Sequence, residues 1–138
     1  MMLALTDKSD GLEGDYGDMP YSSRIQAAVS SAGNSELVSL YSVAPAGLIG
    51  LLGGPPDKFP DLYAKASPVT HVTKDDPPIL LIHGDKDTVV PLQQDELLDA
   101  KLTRVGVPHS MVLKNGRGHE TLWYEKEVWE FLHANLNP

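Results

Sequence analysis

Apolar positions along the chain change spacing several times, and each change marks an element. Met1-Met2-Leu3-Ala4-Leu5 is a helix-like apolar start that stops at Asp7-Lys8-Ser9-Asp10-Gly11. Residues 11–23, rich in Gly, Asp, Ser and Pro, read as a surface loop. Ile25-Gln26-Ala27-Ala28-Val29 predicts a short strand, ended by Ser30-Ser31-Ala32-Gly33-Asn34. A second strand, Ile79-Leu80-Leu81-Ile82, lies between Pro77-Pro78 and Gly84, and its unbroken apolar run suits a parallel strand covered on both faces. His109-Ser110-Met111-Val112-Leu113 predicts a third, closed by Lys114-Asn115-Gly116-Arg117-Gly118.

Between the second and third strands, Leu97, Leu98, Leu102 and Val105 recur at helical spacing after Pro91 and before Gly106. Val128, Phe131, Leu132 and Leu136 predict a closing amphipathic helix. Strands alternating with helices imply an α/β fold: three parallel strands with flanking helices. The connection from Ser30 to Asp76 is far longer than usual, and its centre, residues 43–56, is apolar yet broken by glycine and proline. It reads as a lid-like excursion with a short helix over residues 61–66, either packing on the core or walling a substrate pocket. No repeat or linker divides the chain, so residues 1–138 read as a single domain or part of one.

Charge narrows the classes of partner. Eleven Lys and Arg against 19 Asp and Glu give a net charge of −8, which disfavours nucleic acid and anionic membrane surfaces. The apolar start has no basic flank and is too short for a signal sequence or a membrane span, so the default expectation is a cytoplasmic chain. Without cysteine there is no thiolate zinc site, iron-sulfur cluster or cysteine nucleophile, and no cofactor is implied.

Candidate chemistry collects where strands end. Ligands and catalytic groups in open α/β sheets gather outside the carboxyl ends of strands, and Asp85 and Asp87 follow the second strand there. After the third strand, Gly116-Arg117-Gly118-His119-Glu120 presents an imidazole at the same edge. A carboxylate accepting from one ring nitrogen fixes the histidine's tautomer and leaves the other as a general base. Each residue also has a plainer role. Asp87 can cap the next helix, His119 can be an ordinary loop histidine, His83 a packing residue at a strand end, and Asp85 a solvated turn acid. His71, His109 and His133 read as surface or helix histidines. A metal set drawn from His83, Asp85, Asp87 and His119 is disfavoured, because no tight spacing such as His-x-x-x-His is present.

From about Leu3 onward the chain resembles the C-terminal half of an α/β-hydrolase, in particular the small carboxylesterases that include acetyl esterases and BD-FAE feruloyl or acetylxylan esterases. The motifs carrying the resemblance are Leu51-Leu52-Gly53-Gly54, Ala66-Ser67-Pro68-Val69, the run from Pro77 through His83-Gly84-Asp85-Lys86-Asp87 to Pro91, and Gly118-His119. The resemblance implies carboxylic ester hydrolysis with Asp87 as triad acid and His119 as base, in the order serine, acid, histidine. It also implies small acyl esters, including those on plant polysaccharides, as substrates. The nucleophile motif Gly-x-Ser-x-Gly does not occur in these residues. By resemblance the serine would lie a few residues before Met1, and the expectation is a truncation, an internal start or one piece of a split enzyme. Ser30 and Ser31 could approach His119 but lack the elbow glycines.

Two functions remain open at this point. One is an ester hydrolase fragment that supplies acid and base. The other is a catalytically silent, hydrolase-derived module that persists by self-association. In either case the strand over residues 25–29 is expected to lack a neighbour on one side, which favours a homo-oligomer.

Overall fold

The computed structural model describes residues 1–12, 24–120 and 125–136. Of the loop expected at residues 11–23, positions 13–23 lie outside the described residues, as do positions 121–124 and 137–138. Helix α1 (Met2–Leu5) leads through a 3-10 turn (Lys8–Asp10) towards strand β1 (Ala28–Ser31). Four short helices follow: α2 (Leu37–Leu40), α3 (Pro45–Leu52), α4 (Pro60–Ala66) and α5 (Pro68–His71). Then come β2 (Ile79–Gly84), α6 (Gln93–Val105), β3 (His109–Lys114) and α7 (Lys126–Leu136).

The strands form one parallel sheet in the order β1-β2-β3, with Leu81 opposite Ser30 on one side and Met111 on the other. β2 is therefore central, as its unbroken apolar run implied. Side chains alternate between the faces of a strand. Ile79 and Leu81 pack with Leu98 and Leu102 of α6 and with Ala4 and Leu5 of α1, whereas Leu80 and Ile82 pack with Val128 of α7. All six residues of β2 are buried.

β1 begins three residues later than the pattern suggested. The sequence places the strand at residues 25–29, but hydrogen bonding starts where Ala28 N donates to the Pro78 carbonyl, and Ala32 N still bonds Ile82 O beyond the strand. Ser30 is buried on the α6 side, so a polar residue here continues the strand instead of ending it. The turn follows at Ala32, which has a φ of 49°. Among the described residues, the outer edges of β1 and β3 have no strand partner.

The long excursion folds into α2 to α5 around its own core of Leu37, Leu40, Leu48, Leu52 and Tyr63, with the Tyr63 hydroxyl donating to Gly54 O. Proline supplies the first turn of α3, α4 and α5, where its missing N–H has no helical partner to lose. Two buried polar side chains fasten this unit. Ser67 Oγ accepts from Leu37 N and donates to Tyr63 O. Gln94, in the first turn of α6, accepts from the Ser35 and Glu36 amides at 2.9 and 2.8 Å and donates to Ser39 Oγ. His71 joins the excursion to the 3-10 turn, with Nδ1 2.8 Å from Asp10 Oδ1 and Nε2 2.8 Å from Lys65 O.

Gln94 holds two backbone donors that have no other acceptor among the described residues. Gln94→Ala should therefore destabilise the chain by about 2–3 kcal/mol, the usual cost of stranding buried donors. A urea midpoint within experimental error of the parent would refute this role.

Candidate active site

The site forms where the chain leaves β2 and β3. After Gly84 the backbone turns through Asp85 and Lys86 to Asp87, and after Lys114 it turns through Gly116 and Arg117 to His119. The two turns are hydrogen-bonded to each other. Asp85 N donates to Lys114 O at 3.1 Å, Lys86 N to Arg117 O at 2.8 Å, and Gly116 N to Asp85 Oδ1 at 2.6 Å. A side chain at Gly84 would obstruct this arrangement, since a Cβ there would lie 2.3 Å from Arg117 O and 2.6 Å from Gly118 O. Glycine is required at position 84 for close approach of backbone.

Asp87 is brought against His119. Its Oδ2 lies 2.9 Å from His119 Nδ1, and its side chain is 1% exposed while that of His119 is 42% exposed. Oδ1 accepts from the amides of Val89 and Val90 at 2.8 and 2.9 Å, the pattern by which an aspartate caps its own turn. Capping and pairing with histidine thus coexist, one on each oxygen. Burial works against the charged carboxylate, but the Val90 amide, His119 and the Val89 amide together hold Asp87 below the ordinary carboxylate range.

Behind Asp87 lies a second pair. His83 Nδ1 is 2.8 Å from Asp95 Oδ2, and His83 Nε2 is 3.0 Å from Val90 O and 3.4 Å from Asp87 Oδ2. Both side chains are fully buried. Burial pushes the Asp95 carboxyl up to about 6 despite the opposing influence of His83. Among the described residues its other oxygen has no hydrogen-bond partner.

Sequence reasoning treated His83 as a packing residue and missed Asp95. The face of β2 that carries Ile79 and Leu81 also turns His83 towards α6, and an acid in the first turn of that helix was the available signal. Asp85, read as a solvated turn acid, is exposed but ties the two site turns together through Gly116. Of the four residues weighed as a metal set, Asp85 is thus committed elsewhere. Among the described residues, no cluster of three or more His, Cys, Asp or Glu could hold a metal ion. Ser31 Oγ bonds Glu120 O at 3.2 Å, next to His119 in the chain. His109 opens β3 and His133 lies in α7. No described helix is long and apolar enough to cross a membrane.

A parallel sheet with this strand order and flanking helices matches part of the fold of esterase-type α/β-hydrolases. The chain belongs to the BD-FAE family, whose model matches residues 1–102. A truncated carbohydrate esterase from gut microbiota superposes with a TM-score of 0.80 and 25% identity, covering 99% of this chain and 55% of that one. An acetyl ester-xyloside bifunctional hydrolase from Caldicellulosiruptor lactoaceticus gives 0.63 and 26%, covering 88% and 45%. In sequence, the chain is 37% identical over 76 residues to a probable carboxylic ester hydrolase, LipM, of Mycobacterium tuberculosis. It is 41% identical over 58 residues to an uncharacterized peptidase, YtmA, of Bacillus subtilis. These matches cover 51% and 42% of this chain but only 18% and 23% of the relatives.

Two outcomes follow from the geometry. Gly84→Ala should drive the turn bearing His119 away from β2 and cost about 1–3 kcal/mol, visible as a lower melting temperature and loss of the low-field His119 Nδ1–H resonance. The depressed Asp87 contributes stability that is complete above its unfolded value of 3.8 and is lost as pH falls through its lower folded value. The stability gap between the parent and Asp87→Asn should accordingly be widest above pH 3.8 and narrow on acidification. A gap that widens towards low pH would contradict the ion-pair geometry.

Proposed function

We propose that this chain supplies the acid and base of a serine-dependent carboxylic ester hydrolase, with Asp87 orienting His119. The observation that carries this reading is the 2.9 Å contact from a buried carboxylate to a half-exposed imidazole. With Nδ1–H donated to Asp87, His119 Nε2 is left to take the proton of a serine hydroxyl as the serine attacks the ester carbonyl. The imidazolium then protonates the leaving alkoxide, and the same nitrogen activates water to release the acid from the acyl-enzyme. In this reading the nucleophile and oxyanion donors come from outside these 138 residues, since no Gly-x-Ser-x-Gly occurs within them. Small acyl esters on carbohydrates are the proposed substrates, supported by the likeness to a carbohydrate esterase and an acetyl ester-xyloside hydrolase.

The second reading is a silent module that self-associates through the outer edge of β1. The observation favouring it is that this edge has no strand partner among the described residues.

The chain alone should hydrolyse 4-nitrophenyl acetate little above background, because an acid-base pair without a positioned nucleophile cannot form an acyl-enzyme. Joined to the serine-bearing segment of a BD-FAE relative, it should turn over the aryl ester and acetylated xylan. His119→Ala should then lower kcat by about 10⁴-fold or more, and Asp87→Asn by about 10³–10⁴-fold. A folded, joined protein with no turnover would favour the silent module, and light scattering would test its self-association. Robust hydrolysis by the chain alone, lost in His119→Ala, would place the nucleophile within these residues. Preference for an aminoacyl anilide over the aryl ester would move the substrate class towards the peptidase relative.

A further inference from the structure

His83 is held between oxygen atoms on both of its ring nitrogens. Nε2 faces the Val90 carbonyl at 3.0 Å and Asp87 Oδ2 at 3.4 Å, and neither oxygen has a proton to give, since Val90 O is a carbonyl and Asp87 is ionised. Nε2 must therefore carry a hydrogen, or a lone pair would point at two acceptors in a site closed to water. Nδ1 faces Asp95 Oδ2 at 2.8 Å, a distance that also requires a proton between the two atoms. Two forms satisfy both sides. Either a protonated Asp95 donates to Nδ1 of a neutral ring, or an ionised Asp95 accepts from an imidazolium. Each contains the same number of protons, one more than a neutral histidine beside a carboxylate.

We propose that His83 and Asp95 together retain this proton at neutral pH, and that His83, donating Nε2–H to the Val90 carbonyl with Asp87 Oδ2 3.4 Å away, fixes the turn whose Val90 amide holds Asp87 and so positions its carboxylate for the contact with His119. Asp95 is 0% exposed, and among the described residues its second oxygen has no hydrogen-bond partner, so an uncompensated carboxylate is costly there. Among the described residues, the groups facing the pair leave Asp87 as the other charge. It lies on the loop before α6, with His119 beyond it, while Gln94 of α6, Ser30 of β1 and the Gly33 amide are neutral. The Asp87 carboxylate 3.4 Å away makes a bare Nε2 lone pair more costly. His83 is thus a positioning residue, acting through Asp87. The inference rests on the proposed pairing of Asp87 with His119 for its meaning in catalysis, but not for its protonation state.

Long-range ¹⁵N–¹H spectra of the labelled full chain between pH 6 and 8 test the proton directly, with the His83 signals assigned by their loss in His83→Phe. The expected result is a protonated His83 Nε2 across the range, and a bare Nε2 at pH 7 would overturn the proposal. In His83→Phe the Asp87 carboxyl should titrate about one pH unit higher, and the fraction of His119 carrying Nδ1–H should fall. An unchanged Asp87 titration in a folded variant would overturn the positioning role. Asp95→Asn, whose amide can donate to Nδ1 and preserve Nε2–H, should leave His119 close to the parent. If His83→Phe does not fold, the spectra of the parent chain still decide whether the proton is present, and Asp95→Asn decides the role: a His119 tautomer disturbed while His83 Nε2–H persists would overturn it. Asp87→Asn is the separate control, because a His119 tautomer unaffected there would refute the Asp87–His119 reading and leave the His83 result standing.

Discussion

A carboxylate that is both charged and buried organises this structure. Asp87 has a side chain 1% exposed, and an ion so placed persists only if its lone pairs are occupied. One oxygen takes two amides of its own turn, and the other faces His119 and His83. The amides come from the local backbone, but the two histidines come from different strand ends. The charge can therefore be satisfied only when β2 and β3 are in register and their turns are locked together. Position 84 is the steric expression of this requirement, since the backbone after β3 occupies the space of a side chain there.

The same strand that delivers these turns is the mechanical centre of the molecule. β2 separates two apolar clusters, one with α1 and α6 and one with α7, and burying each large aliphatic side chain contributes about 1.5–3 kcal/mol. Its alternation extends past the aliphatic residues. His83 continues the parity of Ile79 and Leu81 and so meets α6, where a polar side chain can remain only if α6 supplies a partner. Asp95 is that partner, and its place in the first turn of α6 also suits the positive end of the helix.

Much of this was legible in the sequence because it follows from periodicity and turn chemistry. The unbroken Ile79-Leu80-Leu81-Ile82, the helical spacing of Leu98 and Leu102, and the glycine turns after two strands led to a parallel sheet with its chemistry at one edge. That an acid after β2 could meet His119 followed from adjacency of those edges, while the choice of Asp87 over Asp85 was implied by the resemblance. The start of β1 was misplaced because Ser30 and Ser31 resemble a strand terminator, and only pairing with Leu81 and Ile82 makes them part of the ladder. Gln94 and Asp95 were missed for a different reason. The partners of Gln94, Ser35 and Glu36, are far away in the chain, and a neutral polar residue on an amphipathic helix gives no local sign that it points inward; for Asp95 the available signal was an acid in the first turn of α6, on the side that His83 faces.

Gln94 and Asp95 are consecutive, and their adjacency links parts of the molecule that the topology leaves separate. Gln94 fastens the peptide that leads into α2, and hence the whole excursion from α2 to α5, while Asp95 fixes the histidine behind Asp87. Both lie in the first turn of α6, which follows the N-cap Leu92. A rotation of that turn would release the two amides held by Gln94 and move Asp95 away from His83 at the same time. The excursion and the histidine behind Asp87 are thereby tied to one turn of backbone that itself bonds neither Asp87 nor His119.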